Sequence, residues 1–386
     1  MPRTTLTRRQ FLRSGLLATL GLAAGARCAA RYRPPDATPP TLEELLDEGV
    51  REASYYRRLD GDAVQCELCF RACRVPEGGR GFCRTRINVE GRYYTLVYAR
   101  PAALQVDPVE KEPAHHLLPG TVIFCTGTAG CNNRCKFCHN WHLSQRSFEE
   151  IRHIPLTPDE TVDRARQAGC HGVSFTYNEP TIFYEHMLDV ARLAKQVGLA
   201  TLFHTNGGIN PEPLGELLPY MDAATVDLKA FTPQFYQELA ASELDPVLRS
   251  LELIHKSATQ LEIVNLMIPT YNDDPDDVRA MCRWIADTLS VEVPIHFNRF
   301  SPAYQLTALP RTPIETLEQA ARIADEAGLH YVYIGNYPGH RRNSTYCPQC
   351  GQLLIERRHF SVLSIALDQG HCIACGHPIP GFWLTA

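Results

Sequence analysis

Beyond residue 26, no stretch of this 386-residue chain is long and apolar enough to span a membrane. No polar low-complexity tract dominates it, so it is not a largely disordered chain. Positive charge is scarce too. The formal net charge is −5, and Arg3, Arg8, Arg9 and Arg13 stand in the first 26 residues without one acid, so the remainder is more acidic still. A general nucleic-acid binder would show a basic face. This balance argues against that class and leaves room only for a local basic patch.

Cysteine, by contrast, is plentiful. Fifteen cysteines are many for a chain of this length. Disulfide scaffolds are small and loop-rich. Most of these cysteines stand two or three residues apart, as metal-chelating knuckles do, and neighbours so close seldom pair with each other. Cys28, Cys170 and Cys282 fall outside the clusters, and Cys125 lies in an apolar strand run. These four read as small buried hydrophobes.

The amino terminus combines Arg8-Arg9, Phe11-Leu12 and an apolar run from Leu16 to Ala26 rich in Ala and Gly. The run is too short for a membrane span and reads as a twin-arginine export signal, cleaved near Ala24-Gly25-Ala26. Export to the periplasm or cell envelope is the expectation, with the cytoplasm as the alternative. The mature chain is expected to have no transmembrane span.

Proline-rich residues 31–41 form a linker, and a short helix is predicted from Leu42 to Arg57. The expected divisions are 1–26 (signal), 27–60 (linker and helix), 61–115 (Cys-rich module), 116–340 (α/β domain) and 341–386 (a second Cys-rich module). Residues 91–108 alternate and predict two short strands. From Thr121 a rhythm sets in: strands at "TVIFCT", "GVSFTYN", "LATLFHTN", "DAATVDLK", "LEIVNLMIP", "VPIHFNRF" and "HYVYIGN", with amphipathic helices between them. Six strand–helix units and a seventh strand demand a parallel sheet with right-handed crossovers. Six to seven units fall short of the eight of a closed barrel, so a partial (β/α) barrel is expected, with a doubly wound sheet as the alternative. Either way the active site belongs beyond the carboxyl ends of the strands. Cys131 to Cys138, Asn178-Glu179, His204-Thr205-Asn206, Asp227-Lys229, Asn265, His296 and Asn336 are all assigned to those ends.

Cys131, Cys135 and Cys138 are spaced C-x3-C-x2-C. A tetrahedral zinc site or a cubane cluster held by protein alone takes four ligands. Here one is missing. Either His139 or His142 completes a zinc site, or an exogenous group fills the fourth place. Cys347, Cys350, Cys372 and Cys375 make two C-x2-C knuckles of zinc-ribbon spacing, with rubredoxin-like iron and disulfides as alternatives. Cys66, Cys69, Cys73 and Cys83 could close on zinc or on a second cluster. Glu110, Lys111, His115 and His116 follow that module, as active-site residues or as solvated surface.

The cysteine triplet, with Phe137 before its third member, resembles the cluster loop of the radical S-adenosylmethionine superfamily. The resemblance implies a [4Fe–4S] cluster on Cys131, Cys135 and Cys138, with S-adenosylmethionine on its open iron. It implies reductive cleavage to a 5′-deoxyadenosyl radical that takes hydrogen from a substrate, and a low-potential electron donor. Tyr177-Asn178-Glu179-Pro180 stands where that superfamily has Gly-Gly-Glu-Pro, and Asp227-Leu228-Lys229 matches a motif of glycyl-radical-enzyme activases. Phe137, Asn178, Glu179, Asp227, Lys229, Asn265 and His296 are thereby implied as cofactor contacts. No catalytic residue is implied. The stretches "CELCFRACRVPEGGRGFCRTRIN", "LQVDPVEKEPAHHLLPG", "GCNNRCKFCHNWHLSQ", "DLKAF" and "CPQCG…CIACGHPIPGFW" further resemble the radical protein of the AmmeMemoRadiSam system, a family related to pyruvate formate-lyase activating enzymes. Memo-type and AMMECR-type proteins are the partners this implies. A glycyl-radical activase and a non-enzymatic metal-binding electron carrier or scaffold are the competing expectations.

Overall fold

The alternation that begins at Thr121 folds as one sheet. In the computed structural model, which describes residues 50–383, its strands are β1 (Ala103–Pro108), β2 (Val122–Gly127), β3 (Gly172–Phe175), β4 (Ala200–Thr205), β5 (Ala223–Asp227), β6 (Gln260–Met267), β7 (Ile295–Arg299) and β8 (Val332–Gly335). The segment read as an export signal, Cys28 and the proline-rich linker lie outside the described residues. The strand order is β8-β7-β6-β5-β4-β3-β2-β1. β2 to β8 are mutually parallel, and β1 pairs antiparallel with β2. The order never reverses, so there is no topological switch point, and a doubly wound sheet is excluded. β1 and β8 are the two edges.

The helices α1 (Pro158–Gln167), α2 (Tyr184–Gln196), α3 (Pro211–Leu217), α4 (Leu244–His255), α5 (Pro275–Trp284) and α6 (Ile314–Glu326) follow β2 to β7 in turn. Local sequence fixes their starts. Thr157 and Glu160 form a capping box with Pro158 at the first turn of α1, and the Asp274 carboxylate accepts from the N–H of Asp276 at the start of α5. Thr312, two residues before α6, ties two strands together. Its hydroxyl donates to Met267 O of β6 and accepts from Phe300 N–H just after β7.

Alternate strand residues decide the two faces. Phe124, Val173, Phe203, Val226, Ile263 and Phe297 point toward the helices and meet Met187, Leu251, Met281 and Leu317 in the main core. Each fully buried side chain of this size contributes about 1.5–3 kcal/mol. The opposite face carries Ile123, Cys125, Ala200, Leu202 and Ala223, covered by Val109, Ala114, Leu117 and Leu118 from the segment after β1. That segment crosses the face. His116 N–H donates to Glu262 of β6 at 2.7 Å, and the His115 ring lies 4.6 Å from His296 of β7 and 4.5 Å from Tyr333 of β8. A segment leaving one edge strand thus touches the other, so the sheet curls around it. Glu110, His115 and His116 are buried, not solvated surface.

The helix predicted over 42–57 does not form in its described part. Arg51–Glu52 and Tyr56–Arg58 are strands. Arg51 and Glu52 pair with Thr95 and Tyr94, and Tyr56 to Arg58 with Cys66 to Val64. Two waiting sheet edges outweigh a weak local helix preference. At the other end, Thr345–Tyr346, Leu353–Arg358 and Ser361–Ile365 form an antiparallel sheet. Arg357 of this sheet donates to His115 O at 2.7 Å, and Phe382 N–H donates to His116 O at 2.7 Å. The described residues form one compact unit, and the cysteine-rich ends are built onto the sheet.

Candidate active site

The loop after β2 carries the cysteine triplet. Gly130, immediately before Cys131, has φ +87°, and a Cβ there would lie 2.4 Å from Cys83 O. Only glycine suits both the left-handed backbone and that contact. The loop is braced by backbone bonds from Arg134 N–H to Ala240 O and from Lys136 N–H to Leu239 O, both at 2.8 Å. Residues 236–240 form a π-helical turn. No signal in the sequence marked it, though such turns gather at functional sites. Cys131 and Cys135 are buried and Cys138 is half-buried. Asn133 N–H points at the Cys131 sulfur at 3.3 Å, and the Ser144 hydroxyl lies 3.2 Å from the Cys138 sulfur.

Burial pushes all three thiols up, Cys131 well above the usual range and Cys135 to about 12 against the pull of Lys229. Alone they are neutral. Loading metal would ionise them and release protons. The donor set fits a polynuclear cluster. Among the described residues, the three thiols do not converge to the spacing of one ion, whereas the four of Cys347, Cys350, Cys372 and Cys375 do. Asn132 Nδ2 and Asn133 Oδ1, in the same loop, are buried without a protein partner, so the loop keeps polar groups open for a bound group.

The neighbouring strand ends close around this loop. Asn178 accepts from Thr128 N–H and donates to Gly130 O at 2.7 Å, so it clamps the loop's start. Tyr177 adopts φ +73°. This left-handed backbone costs a residue with a side chain about 1–3 kcal/mol. The Tyr177 carbonyl accepts from Asn140 Nδ2 at 2.6 Å. Glu179 is buried and accepts from Thr181 N–H, Thr181 hydroxyl, Thr205 hydroxyl and Asn206 N–H, which cross-ties the ends of β3 and β4. Burial raises its pKa above the ordinary carboxylate value, against the pull of those four donors. Three of the four fall on Oε1, so Oε2 keeps acceptor capacity.

At the end of β5, Lys229 Nζ donates to Asp227 Oδ2 at 2.6 Å, and His204 Nε2 lies 3.2 Å from Asp227 Oδ1. Burial disfavours charge on all three, but mutual attraction outweighs it. Lys229 and His204 hold Asp227 well below the carboxylate range, Asp227 and Cys135 hold Lys229 up, and Asp227 and Glu112 raise His204 to about 10. Lys229 Nζ also stands 5.9 Å from the centre of the Phe137 ring, which packs on Phe235. Cys131 to Cys138, Asn178, Glu179, His204, Asp227, Lys229 and Phe137 therefore form one contiguous site.

Two expected members stand elsewhere. Asn265 is paired in register with Phe297, a core residue, so it faces the helices, and its Nδ2 donates to Leu228 O. His296 is the second residue of β7, at the amino end of the strand, and its Nε2 pairs with Glu262 at 2.7 Å. Asn298, two residues on, holds the place nearer the carboxyl end. Its Oδ1 is buried without a partner, and a Cβ at Gly335 would lie 1.7 Å from it. Asn298, His115, His296, Lys111 and Asn336 line a small hollow beside β7 and β8.

The tail knuckles repeat each other. Cys347 N–H bonds Gln352 O and Gly351 N–H bonds Cys347 O; Cys372 N–H bonds His377 O and Gly376 N–H bonds Cys372 O. The sulfurs meet in pairs, Cys347 with Cys375 at 3.6 Å and Cys350 with Cys372 at 3.7 Å. Four thiols at one point can hold one metal ion. Cys66, Cys69, Cys73 and Cys83 share a small module but do not reach that spacing. Burial raises the Cys66 thiol to about 11, against Arg86. Cys125, Cys170 and Cys282 are buried, as read.

A family model described as the radical SAM superfamily matches residues 126–285. An uncharacterized protein of Methanocaldococcus jannaschii is 43% identical over 332 residues, 86% of this chain and 99% of that protein. A pyruvate formate-lyase-activating enzyme of Listeria monocytogenes is 26% identical over 179 residues, 43% of this chain and 70% of that one. Among solved structures, a domain of a pyruvate formate-lyase-activating enzyme from Bacteroides vulgatus aligns with a TM-score of 0.38 at 19% identity, covering 43% of this chain and 99% of that chain.

Proposed function

Because this chain belongs to the radical SAM superfamily, as a radical SAM enzyme related to pyruvate formate-lyase activating enzymes, we propose that Cys131, Cys135 and Cys138 hold a [4Fe–4S] cluster with one iron left open to S-adenosylmethionine. When bound and reduced, that pair supplies a 5′-deoxyadenosyl radical. The observation that carries the reading is the triplet loop set directly against Asp227, Lys229 and Glu179 at the carboxyl edge of the sheet. The residues of this chain have positioning roles. Asn178 and the 236–240 turn fix the loop, Lys229 stabilises negative charge at Cys135, and Glu179 and Asp227 offer acceptors to a cationic group. The curled sheet, read as a partial (β/α) barrel, keeps water from its covered face. We assign the substrate to the polar hollow lined by His115, His296 and Asn298. The test is the low-temperature spin signal of the reduced protein. Adding S-adenosylmethionine should change it; an unchanged signal from an intact cluster would refute the open-iron assignment.

A glycyl-radical activase is the second reading, favoured by the likeness to activating enzymes and by Asp227-Leu228-Lys229. Generation of a glycyl radical on a partner chain would distinguish it. We assign zinc to the ribbon thiols, and loss of one zinc in Cys350→Ser checks this. The looser set of Cys66, Cys69, Cys73 and Cys83 suits a second cluster better than a single zinc ion. A low-potential donor, and Memo-type and AMMECR-type partners, complete the proposal. So does export by the Arg8-Arg9 signal, a route that carries folded proteins and would spare the thiols from oxidation outside. An Arg8→Lys/Arg9→Lys variant should be retained in the cytoplasm. A native chain found wholly there, with its amino terminus intact, would contradict export.

A further inference from the structure

On the covered face of the sheet, Asp107 of β1, Glu112 of the crossing segment and Cys125 of β2 bring one donor atom each within reach of a single ion, and all three are buried. The Cys125 thiol donates to Glu112 Oε1 at 3.3 Å. The other oxygen, Oε2, has no hydrogen-bond partner on a side chain 4% exposed, and lies 3.8 Å from His204 Nδ1. The far side of that imidazole is held by Asp227, at 3.2 Å from Nε2. A carboxylate on one ring nitrogen is how metal-binding histidines are oriented, with the other nitrogen's lone pair left to the ion.

We propose that Asp107, Glu112, Cys125 and His204 form a site for one divalent cation of the zinc class. The inference does not depend on the radical reading. One thiolate, one imidazole and two carboxylates make a donor set of intermediate softness, which suits zinc and not magnesium or calcium. Charge points the same way. Asp107 Oδ2 is already met by Lys111 Nζ at 2.7 Å and by the Tyr177 hydroxyl at 3.0 Å, leaving Oδ1 as its ligand. Asp227 is met by Lys229. The cation nearest Glu112 is the His204 imidazolium, 3.8 Å from Oε2 and shared with Asp227, so this buried carboxylate is only partly balanced, which is costly. A dication would balance Glu112 and the Cys125 thiolate, and both the thiol proton and the His204 Nδ1 proton would pass to solvent. Lys111 is the competing cation, and at 41% exposure its side chain is free to swing out.

The test counts zinc and iron per chain in the full-length protein, purified without oxygen. Wild type should hold at least two zinc ions, one in the ribbon and one here. Glu112→Gln and Cys125→Ser should each hold one fewer at unchanged iron content, while Cys170→Ser, which removes a buried thiol outside every cluster, should match wild type. Should Cys125→Ser fail to fold, Glu112→Gln decides alone, because the amide keeps the carboxylate's shape. Undiminished zinc in Glu112→Gln, or a wild-type chain with one zinc or none, overturns the proposal.

Discussion

His186 lies fully buried against the ring of Phe183, 4.4 Å away, and neither ring nitrogen has a partner. Burial drives its pKa down to about 3, with Asp189 opposing weakly. The folded state therefore keeps this imidazole neutral while the unfolded chain takes up a proton near 6.5. Its contribution to stability is intact above pH 6.5 and is lost as pH falls from there toward 3. At pH 5 the loss is about 2 kcal/mol. His186→Phe keeps the stacking and removes the titration, so its unfolding free energy should fall by about 2 kcal/mol less than that of wild type between pH 7 and pH 5. Parallel curves in denaturant titrations would contradict this. Cys135→Ala acts on another buried site. Removing a thiolate beside Lys229 leaves a second iron without its ligand, so the cubane signal and most of the triplet-bound iron should disappear; an unchanged signal would contradict the ligand assignment. The triplet was readable from sequence because its ligands are contiguous and spacing alone betrays them. Asn265 and His296 were misplaced because a polar residue on a strand shows neither which face it takes nor how near the carboxyl end it falls. The first is fixed by register against Phe297, the second by where β7 begins.

The strands and helices from Thr121 onward were legible because apolar periodicity reports burial on one or both faces. What sequence withheld were elements defined by distant partners. The predicted helix at 42–57 yields to pairing with Tyr94, Thr95 and Val64. β1 joins the main sheet through the residues opposite it on β2. The crossing segment at 109–118 has no periodicity of its own, yet it carries Glu112, His115 and His116 beneath the site. One contact between elements deserves a direct probe: Gly130 against Cys83 O, where the amino-terminal module meets the triplet loop. Gly130→Ala touches no ligand, but the left-handed backbone alone would cost about 1–3 kcal/mol, and the 2.4 Å contact adds to it. Iron content should drop with all three thiols still present, and the thermal midpoint should fall. Full iron loading in this variant would mean that the module does not position the loop.

Across the whole molecule, the cysteine-rich ends are fastened to opposite parts of one sheet. The amino-terminal module rests on the triplet loop through Arg71 Nε, which donates to Asn132 O at 2.8 Å, and the carboxy-terminal three-stranded sheet rests on the crossing segment through Arg357 and Glu110, both buried. Cysteine clusters therefore flank the covered face, where the proposed radical would be confined away from water. The account's central claim is that this architecture cleaves S-adenosylmethionine reductively. The most direct measurement is 5′-deoxyadenosine formed by the anaerobic, iron-loaded full-length chain on addition of S-adenosylmethionine, with and without dithionite. The account predicts 5′-deoxyadenosine only with dithionite, and none from Cys131→Ala under the same conditions. No 5′-deoxyadenosine from a chain whose cluster is intact and reduced would contradict it.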